Sequence, residues 1–273
     1  MSLSDQFGTA GLKLKKADRP FAGNDRIFGL DVRGDHFEAW VPDHVRADVQ
    51  AKDPKLRQVV LTVKEPKTKF QLEIPKYQMQ AGDKIIRTVG PERSGRPGMT
   101  RVLVERETPD ETRHFLCGVD ERDHPFIAQL SQGVSSIRAA HELLKPEALR
   151  GKRVKGYGKN YRSKGDGNVW RQGEWFFEKA SAEETEKLME FVAKGGVQKK
   201  VPIASTRGNP HTVDEWIRIP GWEGRKGRRY ESALYIRGKV RHDEHETLEF
   251  RDWMRVYRNL EAGGATSGST WVD

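Results

Sequence analysis

A single cysteine, Cys117, among 273 residues excludes an intramolecular disulfide framework and a thiolate zinc cage, and it fits a reducing compartment. At its position in an apolar run, Cys117 reads as a small buried residue of a strand. No stretch approaches the roughly 18 consecutive apolar residues of a membrane span, and mean hydropathy is −0.79. The opening Met1-Ser2-Leu3-Ser4-Asp5 has no apolar segment of the signal-peptide kind, so a soluble, cytoplasmic protein without membrane partners is expected. Catalytic signatures are missing as well. There is no GxxxxGK[ST] loop, no GxGxxG after a strand, no GxSxG elbow and no HExxH pair, so nothing names a reaction and no cofactor is expected.

What is abundant is charge of both signs. Lys and Arg total 49 against 40 Asp and Glu, a net charge of +9, so most of the surface carries mixed, solvated charge and the excess is local. Between Arg150 and Arg171, eight cations surround the single acid Asp166, with Tyr157, Tyr161 and Trp170 interleaved. That composition suits a phosphate backbone with bases stacked on the rings. A second cluster is Arg225, Lys226, Arg228 and Arg229, set between glycines. The third is Tyr235-Ile236-Arg237-Gly238-Lys239-Val240-Arg241, which as a strand places Leu234, Ile236 and Val240 on one face and Tyr235, Arg237, Lys239 and Arg241 on the other.

The chain punctuates into an arm, two halves and a tail. Residues 1–24 lack apolar periodicity and read as a flexible tail. Residues 25–130 read as a β-rich domain of antiparallel pairs: 27–32 with 36–41, 59–63 with 70–74, 84–89 with 101–105, and 114–119 with 125–130. Residues 131–261 read as a basic α+β domain. One helix begins at Ser135 or Ser136 and is stopped by Pro146; another begins at Ser181, where Glu184 completes a capping box. Residues 262–273, rich in Gly, Ser and Thr, read as a disordered tail. The expected fold class is therefore α+β, with an antiparallel β-rich N-terminal half and a mixed α+β C-terminal half.

A different constellation holds acid–base groups. Glu174, His211, His242 and His245, with Arg171 or Arg237, supply the base, acid and cation that phosphodiester cleavage requires without metal. Zinc or manganese bound by His242 and His245 near Asp243 and Glu244, with His211 as third ligand, is the alternative, although the spacing matches no established metal motif.

The strings Arg171-Gln172-Gly173-Glu174-Trp175-Phe176-Phe177 and Arg237-Gly238-Lys239-Val240-Arg241-His242, followed by His245, Leu248, Trp253, Arg255 and Val256, resemble stretches of uncharacterised proteins of prokaryotes and their viruses. The resemblance implies a prokaryotic or phage context and no activity. The leading expectation is a protein that binds single-stranded or structured RNA or DNA. Tyr157, Tyr161 and Tyr235 would stack on bases, and Lys155, Lys159, Arg162, Arg228, Arg229, Arg237, Lys239 and Arg241 would neutralise phosphates. A metal-independent or metal-assisted nuclease, and a virion or assembly component with protein contacts through its tails, are the alternatives.

Overall fold

The computed structural model describes residues 1–21, 28–79, 81–91, 100–107, 110–120, 122–155, 169–203, 210–243 and 245–260. The first of these segments is not a tail. Ser2 caps helix α1 (Leu3–Gly8) in a reciprocal capping box with Asp5, and Phe7 is fully buried. Strand β1 (Leu14–Lys16) runs parallel to β3 (His36–Trp40), which pairs antiparallel with β2 (Gly29–Arg33). The β2–β3 turn is Gly34-Asp35, as expected of a two-residue hairpin, and Gly34 has φ of 59°.

Next come β4 (Arg46–Asp53) and β5 (Gln58–Glu65). In β5, Val59, Leu61 and Val63 face one core with Phe7, Phe37, Phe115 and Cys117, while Val60 faces a second core with Leu116 and Leu144. A strand covered on both faces reads as an unbroken apolar run, and each such side chain contributes about 1.5–3 kcal/mol on burial. The order of this four-stranded sheet is β10-β9-β5-β4, where β9 is Glu111–Val119 and β10 is Pro125–Leu130.

The expected hairpin of 59–63 with 70–74 does not form. Strand β5 pairs instead with β9, and β6 (Lys69–Pro75) pairs with β8 (Thr100–Glu107), which also holds β7 (Lys84–Pro91). The turn-like 64–69 stretch is a link between two sheets. Helix α2 (Ile137–Leu144), capped by Ser136, lays Ile137, Ala140 and Leu144 on the second core and stops at Lys145 before Pro146.

The C-terminal half is a seven-stranded sheet ordered β11-β12-β13-β19-β18-β15-β14. Its strands are β11 (Val154–Lys155), β12 (Val169–Gln172), β13 (Trp175–Lys179), β14 (Gln198–Pro202), β15 (Thr212–Ile219), β18 (Ala233–His242) and β19 (His245–Arg258); the short pair β16 (Trp222–Glu223) and β17 (Arg229–Tyr230) stands apart. Among the described residues its one α-helix is α3 (Ala182–Ala193), introduced by the Ser181–Glu184 capping box.

This overturns the α+β reading. Strands take 53% of the described residues and helices 16%, in several antiparallel sheets, so the protein is mostly β. Both expected helices are present; the departure is in strand content, because 198–202 and 212–219, whose polar and charged residues hide their alternation, are strands that the pattern did not mark.

The sheet rolls up. Near the start of β19, the Glu246 carbonyl accepts from Gln172 Nε2, and just past its end Asn259 N–H donates to the Glu174 carbonyl at 2.8 Å. Both ends of a 14-residue strand therefore reach the β12–β13 turn. Trp170 and Phe177 each meet the Phe250 ring at 5.5 Å inside the roll, where Ile236, Val240 and Met254 are also buried. Register shifts accompany the curvature: β18 carries an extra residue against β15 next to Gly238, whose φ is 88°, and β19 carries extra residues against β18.

Candidate metal centre

His211 immediately precedes β15, His242 ends β18 and His245 begins β19. Thr212 pairs with Arg241 and His242 pairs with His245, so the three histidines are lateral neighbours on three adjacent strands. The His211 ring stacks on those of His242 and His245, with centroids 4.3 and 5.6 Å apart, and the His242 and His245 rings are tilted at 4.9 Å. One ring nitrogen from each lies within 4.8 Å of the other two, and all three side chains are buried. Tetrahedral coordination at 2.0–2.1 Å sets nitrogens about 3.3 Å apart, so ligation would draw these three closer together.

The electrostatics favour neutral ligands. Burial lowers the pKa of His211 to about 3, with the charges of His242 and His245 adding to the effect. Among the described residues its buried Nε2 meets no hydrogen-bond partner, and neither does Oε1 of the neighbouring Gln172. An unsatisfied buried polar atom costs about 1–3 kcal/mol, a cost that coordination would offset.

The β12–β13 turn closes one side of the cluster. Gly173 has φ of 54°, and a Cβ there would lie 2.8 Å from His245 Nε2 and 3.5 Å from His211 Nε2. Both the backbone conformation and the space require glycine, and the Cβ it lacks would fill the region at which these nitrogens point. On the opposite side of His245, Asp120 Oδ2 lies 3.5 Å from Nδ1.

The other proposed catalytic residues do not join the group. Glu174 occupies the same turn as Gly173, yet its carboxylate is not among the converging ligands. Arg171 donates through Nε to the Gly173 carbonyl at 2.7 Å and lies over the Phe176 ring, so it braces the turn. Arg237 is held by Glu215 at 2.7 Å and covers Trp253.

The basic stripe needs the sharper correction. Tyr235 is 1% exposed, packs with Leu188 of α3 and donates its hydroxyl to Glu184 Oε1 at 2.8 Å, so it stacks on no base. A helix covers the face that alternation alone assigned to solvent. Arg241 pairs with Asp214 at 2.6 Å, and Asp214 also accepts from the Lys239 N–H. Lys239, Arg228 and Arg229 are exposed. Lys155 lies in β11, and its side chain is outside the description, as are Tyr157, Lys159, Tyr161, Arg162 and the 262–273 tail.

Sequence reasoning missed Asp120 and Gly173. The available signals were an Asp opening the connection 120–124 between two strand-like runs and a glycine between two others. Comparison of the chain with family models, with curated proteins and with solved structures returned no match. No helix among the described residues is long and apolar enough to cross a membrane.

Proposed function

We propose that this is a metal-binding protein in which His211, His242 and His245 hold zinc. The convergence of three buried imidazoles within 4.8 Å carries the reading. Neutral imidazole is the ligating form, and nitrogen-only ligation suits zinc with one further ligand in the fourth position. Cys117 is buried in the other half of the molecule, against Phe115 and Val59, and burial raises its thiol pKa, so thiolate does not compete. The ion would tie together β15 and both strands of the β18–β19 hairpin, joining segments that the roll brings close but that few covalent links constrain.

Isothermal titration of chelator-treated protein with zinc tests this. One equivalent should bind in the wild type and none in His211→Ala or His242→Ala. Absence of binding, or binding that survives both substitutions, overturns the assignment.

Nucleic acid is the second reading, favoured by one observation. Trp222, half-buried, stacks on Tyr230 at 4.2 Å, with the exposed Arg228 over Tyr230 and Arg229 next to it. Cations around a partly accessible ring suit single-stranded RNA or DNA. Fluorescence anisotropy with labelled single strands at two salt concentrations should show salt-sensitive binding weakened in Arg228→Ala/Arg229→Ala. Running each probe on a gel afterwards tests the nuclease alternative. No binding at physiological salt removes this reading and leaves the metal centre untouched.

A further inference from the structure

We infer that Asp120, from the N-terminal four-stranded sheet, is the positioning carboxylate of the zinc centre, and that zinc binding is thereby coupled to docking of that sheet on the C-terminal roll. The inference rests on the zinc reading and deepens it.

Asp120 begins the β9–β10 turn. Its Oδ1 accepts from the Arg122 N–H at 2.8 Å and the His124 N–H at 2.9 Å, which fixes the carboxylate in place. The other oxygen, Oδ2, lies 3.5 Å from His245 Nδ1 and 3.7 Å from His124 Nδ1. The same turn makes a second link: Arg122 Nη1 donates to the Asp243 carbonyl at 2.5 Å, inside the turn that carries His242 and His245. One turn of the N-terminal half therefore hydrogen-bonds the backbone of the ligand hairpin and sets a carboxylate beside its His245 ring.

The chemistry follows from tautomers. A carboxylate accepts only, so Asp120 selects the form of His245 with its proton on Nδ1. That leaves the Nε2 lone pair, on the Gly173 side where His211 Nε2 also lies, available to the metal. Such outer carboxylates orient ligand imidazoles and raise their basicity, and their loss typically weakens metal binding about 10–100-fold. Coupling is reciprocal, so whatever docking contributes to zinc affinity, zinc returns to docking.

Asp120→Asn is the discriminating variant. Its Oδ1 still accepts from the two turn N–H groups, while its amide faces His245 with donors and favours the opposite tautomer, protonated on Nε2 and unable to ligate there. Competition with a chromophoric chelator should show zinc affinity about 10–100-fold weaker in Asp120→Asn. The apo protein's far-ultraviolet spectrum should be unchanged. In the wild type, zinc should slow hydrogen exchange in both the 120–124 and 242–246 turns, and in the variant only weakly. Zinc affinity in Asp120→Asn equal to wild type overturns this inference alone. Failure of the wild type to bind zinc overturns it together with the zinc reading.

Discussion

Two buried histidines occupy opposite halves of the molecule and teach opposite lessons. His141, on α2, is 3% exposed and its Nε2 lies 2.8 Å from Gln58 Oε1, which accepts. His211, also 3% exposed, has an Nε2 that meets no hydrogen-bond partner among the described residues, and it faces two further imidazoles. Burial lowers both pKa values to about 3. Depression of the pKa therefore does not separate a packing histidine from a ligand; the company of the nitrogen does. Gln58 holds His141 in the core, whereas two further imidazoles converging with His211 make it part of a site.

The largest expected effect breaks the two apart by zinc. A ligand present at 1,000 times its dissociation constant stabilises the fold by about 4 kcal/mol. Urea unfolding with and without zinc should show that increment in the wild type and lose it in His211→Ala. His141→Leu strands the Gln58 carbonyl and lowers baseline stability by about 1–3 kcal/mol, with the zinc increment intact. An increment that survives His211→Ala would erase the distinction.

Acid sharpens what the two share. Below pH 6.5 the unfolded chain protonates at both positions while the folded chain, with values near 3, does not. Unfolding then takes up protons, so this part of the stability is complete above pH 6.5 and is lost progressively as pH falls toward 3. For the apo protein the two groups together should cost about 3 kcal/mol at pH 5.5. His141→Leu should halve the slope of urea midpoint against pH; a flat midpoint from pH 7.5 to 5 contradicts the burial argument.

Local pattern carried some elements well and others not at all. Ser136 with Pro146, and Ser181 with Glu184, bounded both longer helices because capping is chemistry between near neighbours. The β2–β3 and β9–β10 hairpins were legible for the same reason. Long-range pairing was not: nothing in 59–63 distinguishes β9 from β6 as its partner. In the candidate site, the three histidines were identifiable by type, and their convergence depends on register between β15, β18 and β19. The turn that Asp120 opens was legible, but its place beside His245 was not, since only tertiary packing brings that turn to the histidines. The Gly173 requirement is only partly local: its positive φ belongs to the turn, but the crowding by His245 and His211 comes from distant residues.

Tyr235 belongs with His141, and it supplies the smallest test. Alternation placed it on an open basic face, where a phenol would meet bases; in the fold its hydroxyl is satisfied by Glu184, which also receives Arg255 at 3.0 Å and the Ser181 N–H at 2.9 Å. Tyr235→Phe removes one of several donors to that carboxylate while preserving the ring that packs under α3. Because Arg255 and Ser181 still satisfy Glu184, the loss should be about 1 kcal/mol, measured as a shift in the urea midpoint at unchanged slope. Nucleic-acid affinity should not move, since a ring that is 1% exposed offers no face to a base. A Tyr235→Phe protein of wild-type stability, or a Tyr235→Leu protein that folds normally and loses single-strand binding, would return Tyr235 to the surface and undo the parallel with His141.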